Sequence, residues 1–133
     1  MDKESSTFML PKGDSIIGGN FTGKVWLNRL VESDTSYNIN AGCVTFAPGA
    51  RTHWHYHPGG QILWVISGEG RYQEEGSPVQ TIREGDVVKC KPGVPHWHGA
   101  APDSSMVHVA IGTHQHKGAV VWLKPVTDRE YNR

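Results

Sequence analysis

The sequence lacks any excess of charge, since 13 Lys and Arg stand against 13 Asp and Glu, a formal net charge of zero at pH 7. Such a chain projects no long-range field toward phosphate backbones or anionic membranes, so neither is an expected partner. It also lacks a long apolar run. Ile62–Ile66 is among the longest, far short of the roughly 20 residues a membrane helix needs. The opening Met1–Ser15 has no signal-peptide core, so a soluble cytoplasmic protein is expected. Cysteine is scarce. Cys43 and Cys90 lie far apart in apolar stretches with no CxxC spacing, which reads as two buried reduced thiols rather than a disulfide or zinc knuckle. No segment sustains a 3.6-residue apolar period, and there is no repeat, low-complexity tract or charge block. The 133 residues are enough for one domain with its own core and too few for two.

Punctuation, by contrast, is plentiful, with 16 Gly and 8 Pro. Between these marks lie short pieces rich in Val, Ile, Thr and Trp: KVWLNRLV, AGCVTFA, QILWVIS, VQTIR, DVVKC, MVHVAI and AVVWL. These read as strands. Turn chemistry at PGA, PGG, SGEG, EEGSP, REGD and KPGVP separates them and favours antiparallel pairing. An all-β sandwich or barrel is the expected fold class, with at most one short C-terminal helix started by the capping-box spacing of Thr127 and Glu130. Residues 1–20 are polar and glycine-rich, and are expected to be a flexible arm or a strand lent to a partner subunit. Residues 21–133 form the expected single domain.

All eight histidines fall between positions 53 and 116. Residues two apart in a strand share a face at about 7 Å spacing, so His53, His55 and His57 can point the same way, and two of them can converge on one ion. Pro58, Gly59 and Gly60 then turn the chain and bring Gln61 back as an oxygen ligand. A distant histidine must close such a site. His96, placed after the Pro-Gly turn of KPGVPHWHGAAP, is the natural candidate.

These residues resemble the cupin motifs. Gly49, His55, His57, Gln61 and Gly68 match the first motif, in which glutamate is usual at the Gln61 position. Gly85, Gly93 and His96 match the second, with Lys91 where proline is usual and Ala100 where asparagine is common. The resemblance implies a cupin-type antiparallel β-barrel, a jelly roll or double-stranded β-helix. It implies a metal set of His55, His57, Gln61 and His96, with His53 outside it. Within the cupins, FAPGARTHWHYHPGGQ, GDVV, PGVPHWHGAAP and HVAI resemble the manganese-dependent hydroxynitrile lyase group. That likeness runs from about Phe46 to the C-terminus, and it implies a divalent transition metal, manganese before iron, zinc or nickel.

Three neutral imidazoles and a neutral amide leave a divalent ion its full charge, which favours Lewis-acid work over oxygen activation. A lyase acting on a small α-hydroxy or carbonyl compound is therefore the leading expectation, with cyanohydrin cleavage its sharpest form. A non-haem dioxygenase and a non-catalytic small-ligand-binding module are the alternatives. His108, by strand parity on the face of Met106 and Ala110, is either a base or a buried imidazole satisfied by a carbonyl, and the resemblance implies the base. His98 shares a face with His96 and belongs beside the metal or in the pocket. His53 lines the pocket mouth or is solvated, and His114 and His116 read as an exposed loop pair. Tyr56, Trp54 and Trp64 read as core or interface residues, any of which could wall the pocket. Both faces of MVHVAI and ILWVI are apolar, so a homodimer or homotetramer is expected.

Overall fold

The computed structural model describes residues 10–133. Twelve strands build an antiparallel β-barrel of two curved sheets: β1 (Asp14–Ser15), β2 (Phe21–Thr22), β3 (Val25–Val31), β4 (Asn40–Phe46), β5 (Arg51–Thr52), β6 (His55–Tyr56), β7 (Gln61–Glu74), β8 (Gln80–Arg83), β9 (Val87–Cys90), β10 (His96–Ala100), β11 (Met106–Gly112) and β12 (Val121–Trp122). One sheet runs β1-β3-β4-β11-β7-β9, and the other joins β7 to β8, β10, β5, β2, β6 and β12. The all-β expectation holds. A short 3-10 turn at Gln115–Lys117 and one helix, α1 (Asp128–Tyr131), complete the chain. None of the described helices is long and apolar enough to cross a membrane.

Strand β7 is common to both sheets and positions the site. Its first half pairs with β11 and β9, and its second half with β10 and β8. The turn expected at SGEG is absent, because β7 continues through it to Glu74. Glycine there serves a bend and close packing instead. Gly68 sits at φ 82°, and at Gly70 a Cβ would run into the Met106 sulfur and the Gly99 carbonyl. The ladder to β11 also shifts register between Val107 and His108, which adds local twist where the strand leaves one sheet for the other.

The barrel interior holds Val25, Phe46, Leu63, Val65, Tyr72, Ile82, Cys90 and Met106 in one buried cluster. A second cluster of Trp54, Trp97, Val126 and Tyr131 seals the C-terminal segment onto the outside of the barrel. Helix α1 begins with the capping box read from sequence, Thr127 accepting from the Glu130 amide and Glu130 from the Thr127 amide. Buried Arg51 donates to the Val126 carbonyl at 3.0 Å and to Asp128 at 2.8 Å. Both cysteines are free and buried. Of the arm expected over residues 1–20, residues 1–9 lie outside the described part, while Asp14 and Ser15 pair with Leu27 and Trp26 of the same chain.

Candidate metal centre and active site

The histidine-rich segment is not one continuous strand. β5 ends at Thr52, β6 resumes at His55, and the link between them bends. The break overturns the simple alternation expected for His53, His55 and His57. The His53 side chain does not line the barrel cavity, but its carbonyl lies 2.8 Å from His55 Nδ1. That contact makes Nδ1 the protonated nitrogen and leaves His55 Nε2 with the lone pair. The Val94 carbonyl, 3.2 Å from His96 Nδ1, does the same for His96. Both imidazoles are thus held as Nε2 donors by the chain immediately before them.

The turn after His57 has a steric reason for its Pro-Gly-Gly sequence. A Cβ on Gly59 would collide with the Thr113 and His114 carbonyls, and Gly60 adopts φ 89°, a region that favours glycine. Gln61 then opens β7 and enters the same cavity wall as His55 and His57.

Five imidazoles meet at the inner end of the barrel. Ring centroids are 4.4 Å apart for His55 and His96, 5.1 Å for His55 and His57, and 5.8 Å for His57 and His96. His98 lies 5.3 Å from His55 and 5.6 Å from His96. Ligand atoms of His55, His96 and His98 all fall within 4.8 Å of one another. Gln61 stands close enough to His57 to favour its charged form, yet its Oε1 makes no hydrogen bond of good geometry.

Buried polar atoms without partners are rare because each costs about 1–3 kcal/mol. Here His57 Nε2, Gln61 Oε1, His96 Nε2 and His98 Nε2 are all buried and unpartnered among the described residues. Such a concentration of lone-pair atoms fits a divalent metal ion, which would satisfy several of them at once. Two overlapping donor sets therefore exist, one with His57 and Gln61 beside His55 and His96, the other with His98 in their place. His98 Nδ1 is already engaged, lying 3.0 Å from His108 Nε2.

Burial keeps these rings neutral. It pushes His57, His96 and His108 down to about 4, and His55 and His98 well below the ordinary value. At His57 the neighbouring His96 adds to the depression, and Gln61 opposes it. On unfolding each ring regains a pKa near 6.5, so below that pH the unfolded chain binds protons that the native state refuses. Metal-free protein should therefore lose stability as pH falls from about 6.5 to 4. Each of the three rings pushed to about 4 should contribute a loss on the order of 2 kcal/mol at pH 5. Thermal unfolding in chelator at pH 7 and pH 5 measures this, and equal midpoints would contradict it.

The cavity has a volume of about 400 Å³ and is lined at its inner end by His55, His57, Gln61, His98 and His108. Phe46 packs against His108 at 5.3 Å between ring centroids, and Trp122 lies over His55 at 4.7 Å. His108 is fully buried on the face shared with Met106 and Ala110, as its parity predicts. Trp64 does not wall the pocket, because β7 alternation puts Leu63 and Val65 inside and leaves Trp64 51% exposed on the outer face. Tyr56 pairs with Val121 and stays outside the cavity lining. Trp54 and Trp97 belong to the second cluster. His114 and His116 are exposed at the 3-10 turn. Sequence reading missed Trp122 and Arg29 as lining residues; the Leu27, Arg29, Val31 alternation in β3 was the available signal for Arg29.

Residues 42–112 match the family model described as the cupin domain. The chain belongs to the cupin family. An (R)-mandelonitrile lyase from Granulicella tundricola is 47% identical to this cupin over 113 residues, 85% of this chain and 86% of that one. A cupin-like protein from Thermotoga maritima is 48% identical and superposes with a TM-score of 0.90 over 93% of this chain and 94% of its own. The DMSP lyase DddQ from Ruegeria pomeroyi shares the fold, with 21% identity and a TM-score of 0.67, over 90% of this cupin and 62% of that chain.

Proposed function

We propose that this cupin is a metal-dependent lyase that cleaves a small cyanohydrin to an aldehyde and hydrogen cyanide. The observation carrying the reading is the juxtaposition, in one cavity, of unpartnered donor atoms and a neutral buried base pair, His98 and His108. Likeness to the (R)-mandelonitrile lyase adds to it. His55, His57, Gln61 and His96 would hold the metal, manganese before iron, zinc or nickel. A divalent cation there would supply Lewis acidity that loosens the hydroxyl proton and stabilises the negative charge left behind.

The chain's own residues do the rest. His108 takes the hydroxyl proton as the carbon–cyanide bond breaks, the electron pair leaves with cyanide, and the carbonyl forms. Its ring has a lone pair for this at Nδ1 when Nε2–H donates to His98, and at Nε2 when the substrate hydroxyl replaces that contact. The proton then passes to cyanide, which leaves as HCN and restores the base. Phe46, Val44 and Ala110 give the cavity apolar walls that exclude water and accept a hydrocarbon substituent. The test is cyanide release from mandelonitrile by metal-loaded protein, with oxygen uptake followed in the same vessel. Cyanide without oxygen uptake is expected, and oxygen uptake without cyanide would assign the site to a dioxygenase.

A second copy of this chain is proposed to cover the outer face of the first sheet. Trp64 and Val87 face each other there at 51% and 61% exposure, flanked by Ile62, Val107, Val109 and Ile111. Five strands at about 4.8 Å spacing give a face of roughly 24 by 20 Å, so a symmetric pair would bury about 1,000 Å², the lower bound for a specific interface. Lys89 is its one charge on β7, β9 and β11, and a net charge of zero offers no self-repulsion. Light scattering should report a dimer or tetramer, and Trp64→Glu should give a folded monomer. A wild-type monomer at micromolar concentration would contradict the proposal.

A further inference from the structure

The far end of the cavity differs chemically from the imidazole end. Its lining includes two charged side chains, Arg29 and Glu32. Arg29 sits within β3 on the inward parity of Leu27, and Leu27, Arg29 and Val31 all line the cavity. Glu32 follows the end of that strand and is exposed. Among the described residues no carboxylate lies within ion-pair distance of the Arg29 guanidinium.

The neighbours leave the guanidinium accessible from inside. Across the ladder Arg29 faces Gly42, and beyond Gly42 stands Ala110 on β11. Both are small and both line the cavity, and the Leu27 side chain packs over Gly42, so the wall between Arg29 and the space in front of His108 is apolar. The β3–β4 register also shifts between Arg29 and Val31, a bulge of the kind that re-aims side chains at the rim of a barrel. Two strands across and two residues along put the Arg29 backbone about 12 Å from that of His108. With both side chains reaching inward, the gap suits a ligand the size of a small aromatic acid.

We propose that Arg29 is a specificity-determining residue that anchors a carboxylate on the substrate. The substrate class is then a small hydroxy or oxo compound with the reacting carbon at the imidazole end, an apolar middle, and an anionic group at the opposite end. Charge favours an anion over a cation at that end, because the Arg29 guanidinium lines the cavity with no carboxylate of the described residues within ion-pair distance. A guanidinium meets a carboxylate through two parallel hydrogen bonds, which a neutral amide cannot reproduce. This inference rests on the cavity being the substrate site, as proposed above, but not on which bond breaks there.

The test is calorimetric binding of 3-phenylpropionate and its neutral isostere 3-phenylpropionamide, to metal-loaded and to chelated protein. Wild type should bind the acid at least about tenfold more tightly than the amide in both states, the equivalent of one good charge-assisted contact. Arg29→Met should erase that preference by weakening the acid alone, while Arg29→Lys should retain part of it. Arg29 is exposed, so neither variant should perturb folding, and unchanged unfolding midpoints check this. Acid binding that survives Arg29→Met would place the carboxylate elsewhere and overturn the assignment. So would the absence of acid preference in wild type, including failure of both probes to bind. If the preference is present but no cyanide is released, the lyase reading falls and the anion anchor stands.

Discussion

Alanine at His57 or at His96 should drop bound metal from about one ion per chain to background, because each removes a buried imidazole lone pair from the set of His55, His57, Gln61 and His96. The effect should be near total rather than graded. Donor sets of this kind rely on rings already held in place, and His96 is oriented through its Nδ1 contact with the Val94 carbonyl. His53→Ala should keep the ion, since its side chain stays outside the cavity and only its carbonyl orients His55. His98→Ala is the discriminating variant, because His55, His96 and His98 also bring three ligand atoms within 4.8 Å. The expected result is retention, because a His98 that accepts at Nδ1 from His108 Nε2–H carries its own proton on Nε2 and offers an ion no lone pair there. Elemental analysis decides: an ion lost in His98→Ala and kept in His57→Ala would make the His98 set the metal site.

His108→Ala should lower cyanide release by about 10²- to 10⁴-fold with metal content unchanged, the range typical for loss of a positioned proton acceptor. Its ring is fully buried, and its near neighbours are Phe46 and His98, so water cannot readily take over the role. Burial also pushes it down to about 4, which keeps it unprotonated at neutral pH. Gln61→Glu should also slow the reaction, through charge rather than proton transfer, since a carboxylate would cancel one unit of a bound ion's charge. The two variants separate by metal affinity, which Gln61→Glu should raise and His108→Ala should leave alone. A His108→Ala protein as fast as wild type would remove His108 from the mechanism.

The fold was legible because strand chemistry is local. Val, Ile and Trp runs between Pro-Gly punctuation locate β3, β4, β9 and β11 to within a residue or two, and alternation along β11 places His108 inside without further help. The same rule misled where the strand was interrupted. The bend after Thr52 breaks the parity of His53 with His55, and tertiary packing decides it, the His53 amide bonding to the Asn20 carbonyl. At SGEG the glycines looked like a turn, but the space they leave is filled by Met106 and by the Gly99 backbone, a contact between segments far apart in sequence. Trp64 was ambiguous because β7 is apolar on both faces, so side-to-side pattern carries no information there. The cavity's rim was legible only as the Leu27, Arg29, Val31 alternation in β3, and Arg29 acquires its meaning from Gly42 and Ala110 across two neighbouring strands.

The central claim is that one cation in the imidazole cluster, acting with a buried base, cleaves cyanohydrins. Its most direct test is titration of chelator-stripped protein with Mn(II) while cyanide release from mandelonitrile is followed. Activity should be absent at the start, rise linearly and saturate at about one equivalent per chain. Cyanide release from the stripped protein equal to that of the saturated one, or no release at any Mn(II) concentration, would contradict the account.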